Sequence, residues 1–190
     1  MFLHEPIDNN RFIVYTLGPV VESGVKCFNS GLKGFTVEHK KMGALYGEYD
    51  HAIDPKSRIF IPSRFRQELQ KEDKSYFMLT VGFDRSLSLF LPSKWDELIS
   101  NNMELFKYEN KEEERAFKRY FFGNAVDAEL DEQGRILLPA KLKTFAGLKK
   151  QIVIRGVGNK AEIWDAQCWL EYKKLKVDPS LEKFSKIFDL

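Results

Sequence analysis

The sequence predicts an α+β fold that is rich in β-strands and built from two tandem repeats of one short unit. A stretch at residues 54–66, DPKSRIFIPSRFR, returns at residues 131–143 as DEQGRILLPAKLK, and 131 − 54 gives a spacing of 77 residues. Each copy is followed by alternating apolar runs bounded by glycine and proline, a pattern typical of short strands. Similarity at a fixed spacing indicates a duplicated structural unit.

Each copy of the unit begins with an aspartate-headed turn. The carboxylate of Asp54 or Asp131 can accept hydrogen bonds from amides one or two residues further along the chain. Gly134 suits a turn position with positive φ, because it has no Cβ to clash. Ser57 stands at the matching position of the first copy. That turn is therefore either strained or of another type.

After the turn, the unit continues as a strand, a proline and a short helix. The strand contains a β-branched isoleucine, and the proline is suited to the first position of a helix. Apolar residues then recur at helical spacing, as Phe65 and Leu69 in the first copy and as Leu142 and Ala146 in the second. Cations at the start of these helices oppose the helix dipole, so a bound anion nearby would relieve their cost.

The other elements follow from alternation and capping. Strands are predicted at 46–53, 77–81 and 87–90, and again at 128–130, 151–154 and 161–164. Helices are predicted from an N-cap at Ser93, from about residue 111 in the linker, and from about residue 166. The linker helix carries Phe117, Tyr120 and Phe121 on one face, which indicates a packing helix shared by both repeats.

The pattern divides the chain into five parts: an unmatched extension (1–41), the first repeat (43–100), a linker helix region (101–124), the second repeat (125–175) and a polar tail (176–190). Gly82 and Gly156 are 74 residues apart, as are the later matched aromatic residues, so three residues are missing from the connecting loop of the second repeat. We expect poor order in 1–41, either as a mobile extension or as an upstream stretch included by the choice of start site before Met42. We favour the second explanation.

Composition bounds the function. The net charge of the 190 residues is only +2, so any binding of nucleic acid must depend on local patches. The two cysteines form no disulfide framework and have no metal-ligand spacing, which favours a reducing compartment. The sequence contains no run of membrane-span length and no secretory signal pattern. Neither a catalytic triad nor a carboxylate pair is present, so we predict no enzyme, no cofactor and no metal.

Residues from about 43 to 172 carry a family resemblance. The matching segments are 47–54, 58–62, 82–84, 131–136, 156–158 and 162–165, with Arg115, Phe117, Phe121, Phe122 and Ala125 in the linker. This pattern resembles the MraZ family of bacterial transcriptional regulators, built from two tandem domains similar to the SpoVT/AbrB DNA-binding module. Ser57 departs from the glycine that is usual in the first turn of the family.

The resemblance implies two swapped-hairpin, barrel-like repeats that form an internal pseudo-dimer, with packing helices. It further implies a ring-shaped homo-oligomer that binds double-stranded DNA at short repeated G-containing boxes. These boxes lie upstream of a cell-wall and division gene cluster, often in the protein's own promoter. The implied location is cytoplasmic and nucleoid-associated. A rival hypothesis is a protein-interaction module of the AbrB-like antitoxin type, in which a C-terminal arm wraps a partner.

The resemblance and the residue chemistry together give a candidate site. Arg58 and Arg135 are predicted to contact DNA, since the guanidinium fork suits both phosphate and the O6 and N7 atoms of guanine. Asp54 and Asp131 are predicted to orient these arginines or to cap the turns, with Gly134 shaping the second turn. The predicted contacts to the DNA backbone are Lys56, Arg64, Arg66, Lys141 and Lys143.

A structural alternative stays open for every one of these residues. The Asp and Arg pairs could simply close their turns, and the helix cations could belong to a solvated face. His51 is predicted to be a satisfied strand histidine rather than a catalyst. Trp95, Trp164 and Trp169 are predicted to lie in the core or at a subunit interface, since their neighbours are apolar.

Overall fold

A computed structural model describes the backbone of residues 43–105, 110–181 and 185, and the side chains of these residues except 101–105. The expectations for residues 1–41 lie outside the described residues. Of the predicted polar tail (176–190), residues 182–184 and 186–190 also lie outside the described residues.

Eight strands and five α-helices make up the described chain. The strands are β1 (Leu45–Ala52), β2 (Arg58–Phe60), β3 (Tyr76–Val81), β4 (Leu87–Phe90), β5 (Val126–Glu129), β6 (Arg135–Leu137), β7 (Gln151–Gly158) and β8 (Ala161–Asp165). The helices are α1 (Ser63–Gln70), α2 (Pro92–Leu105), α3 (Lys111–Phe122), α4 (Ala140–Phe145) and α5 (Ala166–Tyr172), and a π-helix, Lys173–Val177, continues α5.

The strands form one antiparallel sheet of six strands, in the order β1-β7-β8-β4-β3-β5, and one separate ribbon of β2 with β6. Outer strands are exchanged between the repeats: β1 of the first pairs with β7 of the second, and β5 of the second pairs with β3 of the first. This arrangement confirms the predicted α+β fold of two swapped repeats that form an internal pseudo-dimer.

Two strand pairings place a pseudo-two-fold axis through the molecule. In the ribbon, Ile59 lies opposite Ile136, its equivalent in the other repeat. In the sheet, Ser88 of β4 lies opposite its equivalent Glu162 of β8. Because both pairings are antiparallel and centred on equivalent residues, one rotation relates the two repeats at both places.

The spacing between equivalent residues falls in two steps, so the prediction of a single three-residue gap is wrong. Ile53 N donates to Lys150 O, and the equivalent bond joins Leu130 N to Ser75 O. The two donors, Ile53 and Leu130, are 130 − 53 = 77 residues apart, whereas the two acceptors, Ser75 and Lys150, are 150 − 75 = 75 residues apart. At the β4–β8 pairing the spacing is 162 − 88 = 74. Two residues are therefore missing between α4 and β7, and one more from the β7–β8 turn.

The sheet separates two layers. On one face, Leu89 and Ile163 pack with the ribbon isoleucines and with apolar residues of α1 and α4 in the main core. Phe90 and Trp164 come next in their strands and so point to the other face. There the ring centroid of Phe90 lies 5.5 Å from that of Trp95 on α2, and that of Trp164 lies 5.5 Å from that of Trp169 on α5.

The linker helix α3 covers the first repeat's half of this outer face. Its Phe121 ring stacks on Trp95 with centroids 5.7 Å apart, and the Phe121 carbonyl accepts a hydrogen bond from buried Thr80 at 2.7 Å. Tyr120 contacts Phe145 of the second repeat at 6.0 Å between centroids. The linker helix therefore contacts both repeats.

Two predictions at helix starts are wrong, and the three tryptophans behave as predicted. Pro62 and Pro139 each lie at the N-cap, one residue before the helix begins. Helix α2 begins at Pro92, so Ser93 is not its N-cap, and both the amide and the hydroxyl of Ser93 donate to Glu72 instead.

The tryptophans are all buried. No helix among the described residues is long and apolar enough to cross a membrane.

The ribbon should be a sensitive point of stability. Ile136 is fully buried, whereas its neighbour Leu137 is 59% exposed. We expect Ile136→Ala to lower the free energy of unfolding by about 2–5 kcal/mol, through lost burial and a residual cavity. The matched control, Leu137→Ala, should change it by less than about 0.5 kcal/mol. Urea denaturation followed by tryptophan fluorescence measures both, and equal losses would contradict the ribbon's buried and exposed faces.

Candidate nucleic-acid interface

Both aspartate-headed turns have the same hydrogen-bond pattern. Asp54 Oδ1 accepts from the amides of Lys56 at 2.8 Å and Arg58 at 2.9 Å. Asp131 Oδ1 accepts from the amides of Gln133 at 3.0 Å and Arg135 at 2.9 Å. One carboxylate oxygen thus holds the loop backbone in each repeat and leaves the other oxygen for a side chain.

The Ser57 turn is strained rather than of another type. Ser57 has a φ of 60°, close to the 80° of Gly134, and both amides donate to the carbonyl of their turn aspartate, at 2.9 and 2.8 Å. A residue with a Cβ in the left-handed region carries a cost of about 1–2 kcal/mol. The first turn therefore keeps the geometry of the second in spite of its serine.

The second oxygen of each aspartate binds the arginine that ends its turn. Arg58 reaches Asp54 Oδ2 through Nε and Nη2, both at 2.7 Å. Arg135 reaches Asp131 Oδ2 through Nε at 2.9 Å and Nη2 at 2.7 Å. In each pair, two hydrogen bonds converge on one carboxylate oxygen, and together they restrict the orientation of the guanidinium more than a single contact would.

The ribbon brings the two pairs together into one group, here called the Asp–Arg cluster: Asp54, Arg58, Asp131 and Arg135. Each arginine also approaches the aspartate of the other repeat, with Nη1 at 3.9 Å from its Oδ2 in both cases. The arginine side chains stay partly open to solvent, at 29% for Arg58 and 14% for Arg135. Two turns that are 77 residues apart in sequence therefore form one surface.

Both carboxylates of the cluster are stabilised in the charged form. The pKa of Asp54 lies below its usual value, chiefly because of the hydrogen bond from the Arg58 amide, with the Arg58 guanidinium and the Lys56 amide adding to the effect. The pKa of Asp131 is lowered first by the side-chain hydrogen bond from Arg135 and then by the Arg135 amide. Hydrogen bonds to the charged form favour that form.

Two of the predicted helix cations reach the turn of the opposite repeat. Arg66 of α1 donates through Nε to Ile61 O at 3.1 Å, and its Cδ would lie 2.9 Å from a Cβ at Gly134. At the equivalent place, Lys143 of α4 donates to the Ser57 hydroxyl at 3.4 Å. The absence of a side chain at position 134 leaves the space that Arg66 occupies.

The remaining predicted cations are exposed to solvent. Lys56 and Lys141 are exposed, on the first turn and on α4. Arg64 is exposed on α1, and its guanidinium carbon lies 5.5 Å from the ring centroid of Tyr46 on β1. The structure thus gathers Arg66 and Lys143 around the Asp–Arg cluster and directs Arg64 towards the edge strand.

Sequence reasoning missed two apolar residues on the same surface. Phe60 and Leu137 are 48% and 59% exposed, and the guanidinium carbon of Arg135 lies 5.6 Å from the Phe60 ring centroid. A signal was present, since each follows its arginine by two residues and side chains alternate along a strand.

The prediction of a satisfied His51 is wrong, because its buried Nε2 has no hydrogen-bond partner among the described residues.

The fold and this surface define a class: a tandem duplication of a swapped-hairpin unit, with paired aspartate-headed turns on one side. The model of the family described as "MraZ protein, putative antitoxin-like" matches residues 44–120 and 121–189. The chain therefore belongs to the MraZ family.

Curated relatives agree with this assignment, and each of those described here is called "Transcriptional regulator MraZ". One from Carboxydothermus hydrogenoformans is 42% identical over 126 residues, which is 66% of this chain and 84% of the relative. One from Thermoanaerobacter sp. (strain X514) is 37% identical over 145 residues, or 76% of this chain and 96% of the relative. One from Heliobacterium modesticaldum is 39% identical over 140 residues, covering 74% of this chain and 93% of the relative.

The lowered pKa values predict a specific loss of stability in acid. A carboxyl whose pKa is lower in the folded state than the usual value of about 3.9 stabilises the fold above that pH. The contribution is lost as the pH falls through the folded-state pKa. At pH values under about 4, we expect the free energy of unfolding to decrease. The decrease should be smaller in the double variant Asp54→Asn, Asp131→Asn, which lacks both carboxylates.

Urea titrations at a series of pH values measure this difference. The control is Asp127→Asn, which removes one carboxylate outside the cluster, at an exposed position of β5. If the acid sensitivity arises in the cluster, this variant should lose stability in acid as wild type does. A double variant with the same acid sensitivity as wild type would show that the cluster does not couple stability to protonation.

Proposed function

We propose that this chain is a sequence-specific DNA-binding transcriptional regulator without enzymatic activity. One observation carries the proposal: the ribbon joins both arginines of the duplicated turns into a single rigid group on the surface. The chain's relatives are named transcriptional regulators, and a surface with two fixed guanidinium groups offers a means of reading DNA.

In this proposal Arg58 and Arg135 recognise bases. A guanidinium whose plane is fixed by a carboxylate is pre-organised to donate two hydrogen bonds to guanine O6 and N7. Each aspartate occupies the Nε and Nη2 edge of its guanidinium. The Nη1 atom points across the cluster and makes no hydrogen bond to the aspartate of its own turn. Asp54 and Asp131 therefore act as positioning residues, which hold the arginines in place before DNA arrives.

The surrounding cations then supply affinity that does not depend on sequence. Lysine and arginine side chains neutralise phosphates and release counterions, so binding weakens as the salt concentration rises. The residues assigned to this role are Lys56, Arg64, Arg66, Lys141 and Lys143. Arg66 and Lys143, which each reach the turn of the opposite repeat, would contact the phosphates nearest to the bases being read.

The finer features follow the family pattern. We propose that the DNA sites are repeated G-containing boxes upstream of a cell-wall and division gene cluster, including the chain's own promoter. A protein acting there would be cytoplasmic and nucleoid-associated. We also propose that several copies assemble into a ring, since a few basic groups bind DNA weakly at physiological salt and linked copies raise the effective concentration at adjacent boxes.

A second candidate function is binding of a protein partner in the manner of an antitoxin. The observation that favours it is the helical segment after α5, where Leu175 is 72% exposed and Leu181 is 58% exposed. Exposed leucines on a terminal helix could pack against another protein. A gel-shift experiment with the DNA upstream of the chain's own start codon separates the two functions, because only the regulator retards that DNA specifically.

Removing either arginine should weaken specific binding without unfolding the protein. We expect Arg58→Ala and Arg135→Ala each to cost roughly 1–3 kcal/mol of binding free energy on the operator and to relax sequence preference, through loss of a paired base contact. Titrations on operator and scrambled DNA at two salt concentrations measure this, with melting curves alongside. If the arginines contact only phosphate, binding falls equally on both DNAs and the salt slope falls by about one.

The control for these variants is Asp131→Ala. A positioning role predicts weaker operator binding, whereas simple repulsion of phosphate by the carboxylate predicts tighter binding. Folded arginine variants with unchanged operator affinity would return the Asp–Arg cluster to a purely structural role.

The assembly is tested separately. Multi-angle light scattering of the full chain at micromolar concentration should give a mass several times the 22.2 kDa of one chain. A monomer that still binds DNA tightly would contradict the proposed ring, and it would leave the assignment of the DNA surface intact.

A further inference from the structure

Two of the four residues on the outer face of the β2–β6 ribbon are apolar, and burial in the core does not account for them. Ile59 and Ile136 are fully buried, so the residues on either side of them in the strands face outward. Those residues are Arg58 and Phe60 in β2, and Arg135 and Leu137 in β6. Large apolar side chains exposed beside fixed charges call for an explanation in terms of binding.

The register gives each arginine an apolar neighbour across the ribbon. Arg58 lies opposite Leu137, and Phe60 lies opposite Arg135. Side chains directly opposite one another have Cβ atoms about 4.5–5.5 Å apart, while successive base pairs are stacked at about 3.4 Å. An arginine and its apolar neighbour therefore fall within reach of the same or adjacent base pairs.

The major groove offers an apolar group that such side chains could contact. The groove is wide enough for a two-stranded ribbon, and among the base edges it displays only thymine presents a methyl group. Phosphates offer nothing to a phenyl ring or to an isobutyl group. The apolar side chains therefore suit base edges rather than the DNA backbone.

We propose that Phe60 and Leu137 are specificity-determining residues that contact the C5 methyl groups of thymines next to the guanines read by Arg58 and Arg135. This inference rests on the proposed function. The pseudo-two-fold axis through Ile59 and Ile136 places the two apolar contacts on opposite sides of one site. Because phenylalanine and leucine differ in reach and shape, the two thymine positions differ in how strongly they are preferred.

The test removes only the methyl group. A duplex is first enriched from a randomised pool by the full-length protein, and each thymine in it is then replaced singly by deoxyuridine, which pairs as thymine does but lacks the C5 methyl. We expect wild type to lose about three- to ten-fold in affinity at one or two positions. Phe60→Ala should bind the thymine duplex more weakly and no longer distinguish thymine from deoxyuridine at one of them, and Leu137→Ala should do the same at the other.

The matched control is Leu170→Ala, which alters a similarly exposed leucine on α5, on the opposite side of the sheet. It should discriminate thymine from deoxyuridine as wild type does. Melting curves without DNA should be unchanged for all three variants, since each side chain is substantially exposed.

Three results would overturn the inference. Equal wild-type affinity for every deoxyuridine duplex, with specific binding retained, removes the methyl contacts but leaves the proposed function standing. Equal weakening of Phe60→Ala and Leu137→Ala on thymine and deoxyuridine duplexes, together with a smaller mass by light scattering, would make these residues subunit contacts instead. Failure of the wild-type protein to enrich any duplex would overturn both the inference and the proposed function.

Discussion

The pairing of β2 with β6 is the constraint on which the surface depends. The ribbon is only three residues long in each strand, and it is extended by Ile61 N donating to Gly134 O at 3.0 Å and by Leu138 N donating to Ser57 O at 2.9 Å. These bonds join each strand to the turn of the other repeat, so neither turn is shaped by its own repeat alone. Burial of Ile59 against Ile136 then fixes the register, because a shift by one residue would send an isoleucine outward and an arginine inward.

The Asp–Arg cluster shows why a structural role and a binding role need not exclude each other. One oxygen of each aspartate closes the backbone turn, while the other orients the guanidinium. An arginine held in this way has already lost most of its rotamer freedom before it meets a ligand, which lowers the entropy cost of binding. The hydrogen bonds that stabilise the turn therefore also prepare the surface for contact.

Much of this arrangement could be predicted from the sequence, and the reason lies in the scale of each feature. The turn, strand, proline and short helix are encoded within thirteen residues, where aspartate, glycine and β-branched residues act locally. The strand exchange is not encoded locally, since alternation fixes which side chains face inward but not which strand is the partner. The outward position of Phe60 and Leu137, by contrast, follows from alternation and could have been predicted. The lack of a hydrogen-bond partner for His51 Nε2 among the described residues could not, since it depends on atoms contributed by a distant part of the chain.

Strand exchange also has a consequence for synthesis on the ribosome. Tyr49 of β1 pairs with Ile154 of β7, so 154 − 49 = 105 further residues must be added before the first strand meets its partner. At about 5–20 residues per second, that delay is roughly 5–20 s. During this interval the first repeat presents unpaired strand edges and an uncovered apolar face to the cell, both of which favour aggregation. Exchange of strands thus lengthens the interval during which the nascent first half is prone to aggregation.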